Sequence, residues 1–297
     1  MADEFGVQPL DSAWARRSFD RAADSYDAAA VLHTEARNNL LQRLELMAIT
    51  PRVIIDAGAG TAHAARALKR RYPKSLVIAL DYSPGMLRVA ARQNSWLRPF
   101  HRLCADAQRL PLADSSVDLI VSNLLLQWCD PDTAFSEFRR VLTPQGLLTL
   151  TTFGPDTLRE LRTAWAGVDA FPRVHTFLDM HDLGDAMVRN GFVSPVLDVE
   201  QFTLQYPDVR TVAADLKALG AHNAAAGRAK ALTGRRKFAA MQSAYEAQRR
   251  EGRLPATYEV VFAHAWVPVH SPQRSTRDGT QVPLAEIRRQ LLNRRKK

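Results

Sequence analysis

From about residue 50 onward, short β-rich runs alternate with amphipathic helical stretches, and this alternation constrains the fold more than any other feature of the chain. The runs lie at 53–55, 76–80, 103–105, 119–121 and 147–153, with helical patterns at 63–71, 84–93 and 131–142 between them. Their near-continuous apolar character suits parallel strands, whose two faces are both covered by helices. Strand–helix units at this spacing predict an α/β, doubly wound fold. Two later runs, 196–204 and 258–266, mix polar and apolar positions and complete a mostly parallel seven-stranded sheet.

Residues 1–50 read as a helical segment ahead of the sheet, with Phe19, Ala22, Ala23 and Tyr26 on one face of a helical stretch 11–47. The main domain spans 51–267 and carries two helical insertions. One covers 154–191. The other, 205–256, holds two helices, 208–219 and 235–250, joined by a Gly/Ala-rich stretch, and is expected to form a lid. Residues 268–297 read as a basic, flexible tail.

No run of eighteen apolar residues occurs, since even 117–129 contains Asp118, Ser122 and Asn123, so no membrane span is expected. Two cysteines, Cys104 and Cys129, cannot build a disulfide framework, and Asp3 and Glu4 do not suit a secretory leader. The cytoplasm is the expected compartment. The net charge of +9 is unevenly spread. Residues 228–253 hold eight Lys or Arg against Glu246 and Glu251, and residues 268–297 hold eight against Asp278 and Glu286, so each segment carries +6 and the rest −3. A solvated helix face explains such charge as well as recruitment of an acidic partner does.

The first strand runs into Asp56-Ala57-Gly58-Ala59-Gly60-Thr61-Ala62, directly before a helix. Glycines here let a ligand approach the backbone at a helix N-terminus. A dinucleotide site usually repeats glycine where this chain has His63, and Asp56 at the loop mouth repels a pyrophosphate but suits a cationic ligand such as S-adenosylmethionine. Asp81 ends the second strand, placed to accept both ribose hydroxyls of an adenosine. Asp106-Ala107 follows the third, placed for an adenine edge. A purely structural reading has Asp56 and Asp81 capping the helices that follow them. Taken together, Asp56, Gly58, Gly60, Asp81 and Asp106 resemble the class I S-adenosylmethionine-dependent methyltransferases over residues 50–155. The resemblance implies that Tyr82, Met86, Ala107 and Asn123 also border the cofactor. Ala62 departs from the family, where glycine is common.

Four further stretches carry a more specific likeness: 19–27 (FDRAADSYD), 122–129 (SNLLLQWC), 153–162 (FGPDTLRELR) and 216–223 (LKALGAHN). Over residues 11–267 the chain resembles the malonyl-acyl carrier protein O-methyltransferases of biotin synthesis. That implies methyl transfer to the free carboxylate of a malonyl thioester. A carboxylate is already ionised, so no general base is required, and alignment of the reactants can supply about 7–11 kcal/mol against about 3–5 from acid–base help. Arg159 and Arg162, after the fifth strand, are the expected grip on the carboxylate; a surface ion pair with Glu160 is the competing reading. Tyr26 is expected to cover the methyl site, with Gln127 and Trp128 lining the pocket. His63 and His222 are weaker candidates, and no spacing suits a metal. The basic lid residues Arg228, Lys230, Arg235, Arg236 and Lys237 are expected to dock the acidic carrier protein. Alternatives are an arginine hydroxylase of the complex I assembly factor type, an RNA methyltransferase and a non-catalytic scaffold; the carboxyl methyltransferase reading expects no nucleic acid partner.

Overall fold

The computed structural model describes residues 10–269, except 175, 226 and 229–232, together with the pairs 275–276 and 279–280. Most of the basic tail, and Lys230, lie outside the described residues. Three helices come first: α1 (Ser12–Ala22), α2 (Tyr26–Ala29) and α3 (Val31–Glu45). The doubly wound body follows as β1 (Val53–Ala57), α4 (His63–Arg71), β2 (Leu76–Asp81), α5 (Pro84–Arg92), β3 (His101–Cys104), β4 (Val117–Asn123), α6 (Pro131–Val141) and β5 (Leu142–Phe153). Then come α7 (Arg159–Ala166), α8 (Met180–Arg189), β6 (Val193–Tyr206), α9 (Val209–Ala218), α10 (Arg235–Glu246) and β7 (Leu254–Trp266).

The seven strands lie in the order β3-β2-β1-β4-β5-β7-β6, and only β7 runs antiparallel to its neighbours. Successive residues of a strand enter opposite cores. Ile54, Leu119, Val121, Val260 and Phe262 join one, beneath α3 and α4. Ile55, Ile120, Val261 and Ala263 join the other, beneath α6 and α8. Burial on both faces is why the strands are apolar without a break.

Three local expectations change. The helical stretch 11–47 breaks into three helices, with a turn at Ala23–Ser25 that lets α2 drop over the glycine loop. The insertion after β5 is shorter than 154–191, because α8 buries Leu183, Ala186 and Met187 and packs on β6 and α6 as part of the sandwich. The lid helices are anchored: α10 packs on α7 through buried Met241 and Tyr245. The segment after α9 closes against α1, where Asp11 N–H donates to the Ala224 carbonyl at 2.8 Å.

Candidate active site

A long cavity runs over the carboxyl ends of β1, β2, β4 and β5, roofed by α1, α2 and the end of α9. This is the edge at which open α/β sheets bind ligands. The glycine loop forms one end. Gly58 and Gly60 have φ of +70° and +53°, and a Cβ on Gly58 would lie 2.8 Å from the Leu125 Cβ. At Gly60 a Cβ would meet nothing closer than the Tyr26 ring at 3.9 Å, so its backbone faces open space in the cavity. Ala62 also sits at positive φ, +64°, which is the physical reason glycine is common there.

Asp81 and Asp106 line this end, with Tyr82, Met86 and Ala107. The Asp81 carboxylate accepts from Gly60 N–H at 2.7 Å and Ser83 N–H at 2.8 Å, fixing it beside the loop. Burial raises its pKa to about 6. Asp56 lies behind the loop. It is 1 % exposed, accepts from Ala65 N–H at 2.7 Å, and is raised to about 7 by burial, with the Asp81 charge adding to the effect. Buried Asp56 and half-buried Asp81, both ionising more readily beside a positive charge, make this end receptive to a cation. A ribose diol fits Asp81, while a pyrophosphate would meet only repulsion. The donor set therefore fits S-adenosylmethionine.

The N-terminal helices clasp this end. Asp20 on α1 accepts from Ser83 Oγ at 2.6 Å and Gly85 N–H at 2.8 Å, at the start of α5. Asp27 on α2 accepts from Thr61 Oγ1 at 2.6 Å and lies 3.2 Å from His63 Nε2. Phe19 packs edge-on to Trp128 at 5.1 Å.

The other end is an aromatic chamber. His33 is walled by Tyr26 at 5.7 Å and Phe153 at 6.3 Å, and Phe153 in turn meets Phe177 and Tyr258. Burial depresses His33 to a pKa of about 4, leaving it neutral at physiological pH, and its buried Nδ1 has no hydrogen-bond partner among the described residues. Asn123 Nδ2 donates to the His33 carbonyl at 3.1 Å, and Gln127 Nε2 to the Leu124 carbonyl at 2.8 Å. Both amides thus hold the chamber's backbone. Two guanidiniums among the described residues line the cavity: Arg16, over the Tyr82 ring at the loop end, and Arg173, which is ion-paired with Asp169 and stacked 4.3 Å from Trp165.

A methyltransferase domain model matches residues 55–150. The chain is 52% identical to a malonyl-[acyl-carrier protein] O-methyltransferase of Methylovorus sp. (strain MP688), over 87% of this chain and 90% of that one. It is 48% identical to a second, from Laribacter hongkongensis (strain HLHK9), over 92% and 95%. This chain belongs to the malonyl-acyl carrier protein O-methyltransferases. Solved structures agree on the fold: the YcgJ protein from Bacillus subtilis (TM-score 0.57, 16% identity, covering 78% of this chain and 98% of that one). Another is phosphoethanolamine N-methyltransferase 2 of Haemonchus contortus in complex with S-adenosyl-L-methionine (TM-score 0.51, 17% identity, 84% and 57%). The hydroxylase and RNA methyltransferase alternatives gain no support from these relatives.

Among the residues expected to serve this O-methyltransferase, Tyr26, Gly58, Gly60, Asp81, Tyr82, Met86, Asp106, Ala107, Asn123, Gln127 and Trp128 all line the cavity. Asp56 does not, since it caps α4 from behind the loop. Arg159 and Arg162 are a correction. Neither lines the cavity: Arg159 faces away and pairs with Asp156 at 3.2 Å, while Arg162 donates to the Pro155 and Thr157 carbonyls at 2.8 and 3.0 Å. The turn at 153–160 is tied to β7 by its other polar groups. Glu259 accepts from Asp156 N–H at 2.7 Å, and buried Glu160 accepts from both the N–H and the hydroxyl of Thr257. This leaves Thr157, Leu158 and Leu161 facing inward.

Of the lid cations, Arg235 and Arg236 are exposed, Lys237 pairs with Asp169 at 3.3 Å, and Arg228 pairs with Asp11 at 2.9 Å. His222 lines the cavity, and His63 stands beside the loop against Asp27. His33 and Arg173 were missed from sequence. His33 follows Tyr26 by seven residues, a helical-face spacing that could have found it; Arg173, in a loop, gave no periodic signal.

Proposed function

We propose that the aromatic chamber holds the malonyl carboxylate in line with the methyl donor and that no side chain removes a proton. The observation that carries this is the chamber's chemistry. Its titratable lining includes His33, held neutral by burial at a pKa of about 4, and Tyr26, whose phenol is pushed well above its ordinary value by burial and by the Asp81 and Asp27 charges. Neither is matched to deprotonating an amine or alcohol near pH 7. A carboxylate needs no such help. S-adenosylmethionine, when bound, supplies the electrophilic methyl and a positive charge that favours an anionic acceptor.

In this reading Asp81 holds the ribose, and Asp106 with the Ala107 N–H meets the adenine. Asp56 acts through α4 and its charge. Tyr26 and Trp128 exclude water, and Asn123 and Gln127 fix the walls. His33, in its Nδ1–H tautomer, donates to the acceptor carboxylate. Arg173 replaces Arg159 and Arg162 as the cation on the acceptor's path.

The carrier protein docks on the first turn of α10. Arg235, Arg236 and Lys237 stand at a helix N-terminus with no acid among them, where the helix dipole disfavours cations, and an acidic partner relieves that repulsion. No helix among the described residues is long and apolar enough to cross a membrane, and Cys104 and Cys129 are unpaired; we place the reaction in the cytoplasm. The test is to incubate the chain with S-adenosylmethionine and malonyl-acyl carrier protein and measure intact mass. One added methylene, lost on mild saponification, is expected; cofactor binding without that gain would reject the reading.

A further inference from the structure

Beside the main cavity lies a second hollow, and Arg173, His222 and Asn223 line both. Its outer walls are Trp14 on α1, Trp165 on α7, and Arg228. Guanidinium groups stand over both indoles: Arg21 and Arg228 lie 5.3 and 5.2 Å from the Trp14 ring, and Arg173 lies 4.3 Å from Trp165. Asp11 and Asp169 offset two of these three charges. Burial lowers the pKa of His222, and the positive charges of Arg21 and Lys217 lower it further. The Trp14 Nε1 is buried and has no hydrogen-bond partner among the described residues, so the indole beside the hollow keeps an unspent donor.

We propose that this hollow is the port for the phosphopantetheine arm, with its phosphodiester held by Arg228 and Arg21 and its amide-bearing chain passing between Trp14 and Trp165 to the neck at His222 and Asn223. The chemistry points to one occupant. A ligand here needs an anionic head for the guanidiniums, apolar stretches for the indoles, polar amides for Trp14 Nε1 and Asn223, and enough length to place its far end in the aromatic chamber. A free phosphate satisfies only the first demand, and a nucleotide, whose base can stack on an indole, lacks the flexible arm that reaches the chamber. The inference rests on the thioester reading above and adds what that reading lacks, a route and an anchor for the arm.

The experiment compares malonyl-pantetheine with malonyl-4′-phosphopantetheine as methyl acceptors for the whole chain at saturating S-adenosylmethionine. The two differ only in the phosphate. In the unaltered protein the phosphate is expected to lower KM by about tenfold or more, the size of a charge-assisted contact. In Arg228→Gln, and separately in Arg21→Gln, this advantage is expected to shrink to about twofold, with kcat changed little in either. Arg21 is exposed and makes no ion pair among the described residues, so it keeps the test valid if loss of the Arg228–Asp11 pair loosens α1. Equal KM values for the two acceptors, or an undiminished advantage in both variants, would overturn the port while leaving the methyl-transfer reading intact. Failure to methylate either acceptor while malonyl-acyl carrier protein is methylated would overturn the port alone, and failure on all three would overturn both.

Discussion

At residue scale the site is defined by groups whose ordinary ionisation is suppressed. Asp56 and Asp81, raised to about 7 and about 6, hold protons in the ligand-free fold that an unfolded chain has released above about pH 4. Their contribution to stability is therefore complete below that pH and is lost as pH rises through 6 to 7. A cationic ligand favours the ionised forms, so its affinity moves the opposite way. Scanning calorimetry from about pH 5 to 8 should show the ligand-free Tm falling from this cause while the rise on adding S-adenosylmethionine grows; Asp56→Asn should flatten both trends. A ligand-induced rise that does not depend on pH would contradict the assignment. His33 makes a complementary prediction. His33→Ala should cost about 10- to 100-fold in kcat/KM, the value of a hydrogen bond to a charged group, and His33→Gln should recover most of it. Because His33 titrates near 4, the profile of kcat should show no histidine inflection between pH 6 and 8.

At element scale the sequence was legible where periodicity is strong. The helix at 63–71 was read to the residue, and the β1 loop with the acids after β2 and β3 falls where alternation placed it. Long-range polar ties were not legible. Nothing local in FGPDTLRELR says that Glu160 turns under the strand to Thr257 while Arg159 turns outward, because the partner is 97 residues away. Glu160→Ala should therefore cost about 1–3 kcal/mol through orphaned donors on Thr257, lowering Tm by several degrees, whereas Arg159→Ala should change neither Tm nor turnover appreciably. Loss of turnover in Arg159→Ala with Tm unchanged would restore it to the acceptor site. The same blindness hid the clasp of α1 on α5. Asp20→Ala removes two hydrogen bonds at the start of α5, and should weaken S-adenosylmethionine binding by about tenfold while making the N-terminal helices more open to limited proteolysis.

At the scale of the whole molecule the net charge of +9 resolves into a body near neutrality and basic segments with separate places. The lid cations at the start of α10 stand outside the cavity, so the docking proposed for them concerns a partner's surface and its approach rather than the methyl transfer. Asp169 links that surface to the interior, since it pairs with Lys237 outside and Arg173 inside. Exposed charges act through solvent and are screened within about 10 Å at 0.1 M salt. For malonyl-acyl carrier protein, kcat/KM should therefore fall by about tenfold as salt rises from about 50 mM to 0.5 M, and the fall should lie in KM. Reversing Arg235 and Arg236 to Glu, which leaves the Lys237–Asp169–Arg173 link intact, should lower kcat/KM at low salt by at least that factor and abolish its salt dependence. Malonyl-pantetheine has no acidic surface to steer, so its turnover by the reversed protein should match that of the unaltered one at every salt concentration. Equal losses on both acceptors would mean that α10 serves the fold instead of the carrier, and the acidic partner would have to dock elsewhere.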